Sequence, residues 1–220
     1  MRPTEQLCAG CLDDWQAATD HPFCRELAQG TLPLNKMKWY LAQDYQFIES
    51  FVRLLASAIA HAPRLEDSIP AAQFLALVTG PENTYFQRSF VALEMPPEEQ
   101  AAPAAPETLA FLQLMDSARH SGRYEQMMAV LVAAEWTYLT WAERYTGYGA
   151  DLPFWFAEWI DLHSGQGFSD VVEYLRGQLD QVWPQLDADQ QQQATVCFET
   201  AMRLERAFFD AAYRGETVQG

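Results

Sequence analysis

Residues 41–62 read LAQDYQFIESFVRLLASAIAHA. Apolar residues recur there at three- and four-residue spacings, the period of a helix that buries one face. Tyr40, Phe47, Ile48, Phe51, Leu54, Leu55 and Ala58 share that stripe, and so does Asp44. A carboxylate on an apolar stripe is costly, because out of water it must be paired, hydrogen-bonded or neutralised. The stretch therefore identifies both the kind of element and the first place to look for chemistry.

The helical period continues in both directions, and no convincing alternating strand interrupts it. Helices are predicted over about 5–18, 21–29, 34–62, 68–95, 105–120, 122–146, 153–161, 166–181 and 188–214. This is an all-α chain, and residues 1–220 are long enough for a single domain with its own core. Gly30 and Pro33 separate two helices, and Thr31 or Asn35 is expected to cap the next. The proline-rich MPPEEQAAPAAP reads as a loop, Gly147, Tyr148 and Gly149 end a helix, and Asp187 is the expected cap of the last one.

A formal net charge of -16 counts against nucleic acid and anionic membrane surfaces as partners. No apolar run is long enough to span a bilayer and the N-terminus lacks a signal layout, so a cytoplasmic protein with reduced cysteines is expected. Cys8 and Cys11 form a lone CxxC, read as the inner face of a first helix because no second pair completes a zinc site. No ExxH occurs, which argues against a bundle-type di-iron centre. Neither a metal nor a cofactor is expected.

Asp44 is not alone. Glu135 shares a stripe with Met128, Leu131, Val132, Tyr138, Leu139 and Ala142, and Glu205 shares one with Phe198, Ala201, Met202, Phe208, Phe209 and Ala212. Each acid taken singly is explained by a Tyr or Trp donor, or by an arginine such as Arg53 or Arg203. Three on separate long helices are explained together by one shared cavity. Aromatic walls with convergent carboxylates suit a small flat ring that is cationic or accepts protons. Tyr45 and Tyr138 are the tyrosines expected near these acids, while Trp39, Trp136, Trp141, Trp155 and Trp159 read as core. His163 is read either as a surface-loop residue or as one that reaches the pocket. His21, His61 and His120 lie near helix ends and are expected to serve helix dipoles. Trp136, Tyr138 and Trp141 spread over more than one face of their helix, which points to buried surface beyond a single core.

QDYQFIESFVRLLASAIAHAP, AAEWTYLTWAERY, EWIDLHSGQGF and FETAMRLERAFFDAAY, in this order, resemble the TenA/thiaminase II family from about residue 20 to 214. The resemblance implies the haem-oxygenase-like all-α fold. It also implies that Asp44 and Glu205 bind an aminopyrimidine ring, with Phe47, Tyr138, His163 and Phe208 as further substrate contacts. One position departs: where the thiaminase II branch carries its catalytic cysteine, this chain has Ala134. It is similar instead to the Cys-less, E-type branch, in which a glutamate replaces the thiol. Glu135 is the glutamate assigned that role, with Glu49 and Glu82 as alternatives. The implied activity is hydrolysis of 4-amino-5-aminomethyl-2-methylpyrimidine, or its N-formyl derivative, to hydroxymethylpyrimidine in thiamin salvage, by a homodimer or homotetramer. The alternatives are an oxidase or cofactor-biosynthesis enzyme of the same fold, and a non-catalytic regulator that binds an aminopyrimidine.

Overall fold

The computed structural model describes residues 1–215. Its elements are all helical, and several predicted helices are divided. The first predicted helix is α1 (Pro3–Gly10) and α2 (Leu12–Thr19), separated at Cys11. Gly10 is a poor helix former, and although both halves pack on the last helix of the chain, α1 also lies on α12 (Gly165–Val182) while α2 also lies on α10 (Tyr124–Ala142). Cys8 and Cys11 are half-buried and free, and burial pushes their thiols up to about 11 and about 12.

α3 (Pro22–Gln29) ends at Gly30, which takes the left-handed φ of 69° that closes the helix. His21 is its N-cap and not a C-terminal partner of a dipole: Nδ1 accepts a bond from the Phe23 N–H at 3.0 Å. Burial holds the His21 pKa below its usual value, which suits an imidazole that must keep a lone pair. His61 and His120 do lie in last helical turns and bond the carbonyls of Ser57 and Asp116. α4 (Leu34–Asp44) begins after Pro33 without a side-chain cap, so neither Thr31 nor Asn35 fills that role.

The predicted 34–62 helix breaks directly after Asp44. Tyr45 and Gln46 form a tight turn with three-residue backbone bonds, and α5 (Phe47–His61) follows it. Side chains hold the break. Gln46 Nε2 donates to Ala42 O and Ala102 O, and the buried Gln43 bonds Pro103 O, Ala105 N–H and the Thr108 hydroxyl. The predicted 68–95 helix is likewise α6 (Leu65–Leu77), a wide π turn (Val78–Glu82) and α7 (Asn83–Ala92). Pro81 explains the π turn, since its ring would collide with the Leu77 carbonyl in a regular α-helix. The MPPEEQAAPAAP loop holds one helical turn, α8 (Pro97–Gln100). α9 (Pro106–His120), α11 (Phe154–Leu162) and α13 (Ala188–Arg214) complete the set. Asp187 caps α13 through a reciprocal pair of bonds with Gln190, as expected.

α10 runs through the middle, with α13 and α12 alongside and α2, α5 and α9 covering the rest. Its buried residues go all the way round, so it has no solvent stripe of the usual kind. Trp136 packs on Trp15 at 4.6 Å between centroids and lies 3.8 Å beneath the Arg176 guanidinium. The second aromatic face is thus covered within this chain, and subunit contact is not needed to account for it.

Candidate active site

Six helices and the π turn meet around one cavity with about 600 Å³ of empty space, part of it open to solvent. α4 supplies Asp44, α5 Phe47, Ile48 and Phe51, the π turn Glu82, and α9 Phe111 and Met115. α10 supplies Ala134, Glu135 and Tyr138, α11 Trp159 with His163 at its end, and α13 Glu205 and Phe208. Asp44, Glu135, Glu205, Phe47, Tyr138, His163 and Phe208 therefore all face the same space. Of the other candidate acids, Glu82 joins them, whereas Glu49 is exposed and pairs with Arg53. Tyr45 stays outside the lining, its hydroxyl bonded to Asn83 Oδ1 at 3.0 Å.

The break after Asp44 is what places it there. It is the last residue of α4, 8 % exposed, and its carboxyl lines the cavity. Glu135 is 9 % exposed and Glu205 3 %, each on a long helix whose neighbouring turns are apolar. The lining contains no lysine or arginine. Burial is the main cause that raises all three pKa values well above the usual carboxylate range. Mutual repulsion adds to it: Glu82 acts on Asp44 and Glu135, and Asp44 acts on Glu205. Glu82 keeps some accessibility while closely surrounded by protein, and burial pushes it up to about 8. The cavity's carboxyls thus hold their protons to higher pH than exposed acids do.

Tyrosines order one of them. The Trp159 indole N–H donates to the Tyr40 hydroxyl at 3.1 Å, and Tyr40 and Tyr138 hydroxyls are 2.8 Å apart. The Tyr138 hydroxyl also faces Asp44, and hydrogen bonding from it opposes the rise in the Asp44 pKa. His163 is buried, and its Nδ1 donates to Trp159 O at 2.9 Å. Burial lowers its pKa to about 4, so the ring is neutral with an acceptor lone pair on Nε2. The walls are aromatic: Phe47 meets Phe208 at 5.1 Å and Phe111 at 5.4 Å, both edge to face.

The sequence reads Trp159 as core, which it also is at 1 % exposure, and does not mark Phe111 or Met115. The signals were there in weak form: Trp159 lies one turn before His163, and Phe111 and Met115 are one turn apart on α9. Among the described residues no group of three or more His, Cys, Asp and Glu is arranged to hold a metal ion. None of the described helices is long and apolar enough to cross a membrane.

The TENA/THI-4/PQQC family model matches residues 12–215. The chain belongs to this family. Two similar curated members are named aminopyrimidine aminohydrolase. The one from Halalkalibacterium halodurans is 26 % identical over 90 % of each chain, and the one from Bacillus subtilis is 23 % identical over 98 % of this chain and 92 % of its own. A solved TenA homologue from Pyrococcus furiosus superposes with a TM-score of 0.86 at 18 % identity, over 96 % of this chain and 99 % of that one. The family's all-α fold is thus shared from end to end, although few residues are.

Proposed function

We propose that this family member is an aminopyrimidine aminohydrolase of thiamin salvage. It hydrolyses 4-amino-5-aminomethyl-2-methylpyrimidine, or its N-formyl derivative, to hydroxymethylpyrimidine, as a cytoplasmic homodimer or homotetramer of the Cys-less branch. The observation that carries the reading is the set of cation-free carboxyls in an aromatic-walled cavity. An aminopyrimidine has the complementary pattern, with flat faces for Phe47, Phe208 and Tyr138 and ring nitrogens and an amino group for the acids.

The roles follow from the proton inventory. Glu205, carrying its proton, shares it with a ring nitrogen and draws electrons from the ring. Asp44, fixed by Tyr138, accepts from the exocyclic amine and sets the register. Glu135 takes a proton from water as the water oxygen bonds the side-chain methylene carbon. The C–N electron pair leaves with nitrogen, and Glu135 passes to it the proton taken from water, so the nitrogen departs protonated and Glu135 is restored. A carboxyl with a raised pKa suits such transfers near neutral pH. His163 Nε2 accepts from water or substrate.

The test is ammonia and hydroxymethylpyrimidine release by wild type beside Glu205→Gln, Glu135→Gln and Asp44→Asn. Turnover by wild type with about 10²–10⁴-fold loss in each variant supports the assignment. A wild type that binds the pyrimidine without turning it over would replace the enzyme reading with that of a binding protein.

A further inference from the structure

Beyond its first turn, the outer face of α6 carries no charge. Residues 68–81 are the longest run of the chain without an aspartate, glutamate, lysine or arginine, in a sequence where such residues make up 20 %. Only one side of the helix is buried: Phe74 meets Phe51 at 5.9 Å and Phe168 at 6.4 Å, with Asp67 and Ala71 buried beside it. The opposite side carries Leu65, 74 % exposed, Ile69, 49 % exposed, and the exposed Ala72 and Ala76. Their spacings of four, three and four residues put them on one stripe, about 17 Å long. A solvent-facing apolar stripe of this kind marks an interaction surface.

We infer that this stripe is where two copies of the chain meet, α6 packing antiparallel on α6 across a two-fold axis. The inference rests on the homo-oligomer in the reading above and not on its chemistry. The stripe is self-complementary. Its large residues fill one half and its small ones the other, at spacings symmetric about the midpoint. An antiparallel second copy therefore sets Leu65 against the other Ala76 and Ile69 against the other Ala72, large on small at both ends. Charge points to the same occupant. At a net charge of -16, two copies repel each other except through a neutral face, whereas a basic partner would be drawn to the carboxylates elsewhere and an anionic membrane repelled. One helix pair of this length covers less than the roughly 800 Å² per partner of a standard interface, so taken alone it makes a weak, concentration-dependent pair. Because α6 runs directly into the π turn with Glu82, pairing also braces the segment that leads to one wall of the cavity.

The experiment is sedimentation velocity over a series of protein concentrations for wild type, Ile69→Glu, Ala72→Glu and the control Val196→Glu, which changes another exposed apolar residue, on α13. Glutamate is a good helix former and all three sites face solvent, so the variants should fold, which circular dichroism and thermal unfolding check. Wild type is expected to self-associate. Ile69→Glu and Ala72→Glu should each raise the dissociation constant about 10-fold or more, while Val196→Glu leaves it unchanged. A wild type that is monomeric throughout, or association indifferent to both α6 substitutions, overturns the inference. Association that Val196→Glu weakens as much as they do would report added charge rather than a defined face, and overturns it too. A wild type that pairs through α6 yet hydrolyses no aminopyrimidine leaves the inference in place and removes the enzyme reading.

Discussion

Burial gives Asp44, Glu135 and Glu205 a higher proton affinity folded than unfolded, and that has a definite sign for stability. Such a group contributes its full stabilisation below the unfolded pKa and loses it as pH climbs through the folded one. For Glu82 the loss runs from the ordinary value of 4.5 to about 8. His163 works in the opposite sense: lowered from 6.5 to about 4, it contributes above the first value and loses that contribution as pH falls to the second. Comparing a variant with wild type at one pH cancels the histidine. Glu135→Gln and Glu205→Gln mimic the protonated acid, so both should match wild-type stability near pH 5. At pH 8 both should exceed it by about 1–3 kcal/mol, while turnover collapses. Calorimetric unfolding at the two pH values checks this, and variants less stable than wild type at pH 8 would mean that the acids have partners. Wild type itself should gain more thermal stability from an aminopyrimidine amine at pH 8 than at pH 5, because the cation pairs with ionised carboxylates and burial raises the Glu82 pKa to about 8. An equal gain at both would argue against charge recognition.

At the scale of elements, the break between α4 and α5 matters more than either helix. Gln43 is 1 % exposed and bonds three groups of the 103–108 segment. Gln43→Leu keeps the volume but orphans a carbonyl, an amide N–H and a hydroxyl, at about 2–5 kcal/mol. With Asp44 as the next residue, kcat should fall as well, and an added aminopyrimidine should rescue stability less than in wild type. Urea unfolding with and without ligand tests this, and wild-type stability in the variant would show that other contacts hold the break. This break was not legible in the sequence, because it depends on glutamine bonds to a loop some sixty residues on, while the apolar period crosses it undisturbed. The π turn was only half legible: Gly80 and Pro81 mark irregularity, but the carboxyl it aims inward follows from the direction in which α7 resumes. What could be read were features set locally or by simple periodicity, namely the unbroken apolar run of α10, the aromatic stripe around Glu205 and the Asp187 cap. Three acids on three such stripes were enough to locate the cavity, although the reason Asp44 reaches it is different from the one the period implied.

At the scale of the whole molecule, charge decides what chemistry the cavity can host. The chain carries a net charge of -16, most of its arginines are engaged in ion pairs such as Arg88 with Glu158 and Arg214 with Glu107, and no cation lines the cavity. Ala134 faces this space one helical turn before Tyr138, and on the proposed Cys-less assignment it stands where the cysteine-bearing branch has its nucleophile. Restoring the thiol by Ala134→Cys would place it beside Glu135 and within the field of three other acids. A thiolate there is disfavoured by burial and repelled by every carboxylate that ionises, so its pKa should rise above the ordinary value of about 8.5. Covalent addition to a thiamin ring needs the thiolate. Wild type should therefore degrade thiamin poorly, and Ala134→Cys should gain little, reacting slowly with iodoacetamide at pH 7. Ala134→Cys combined with Glu135→Gln removes the nearest acid, and its thiol should alkylate faster. Thiamin turnover by Ala134→Cys at the rate of the amine substrate would show that the cavity already stabilises a thiolate, and that its acids are ionised less readily than their surroundings dictate.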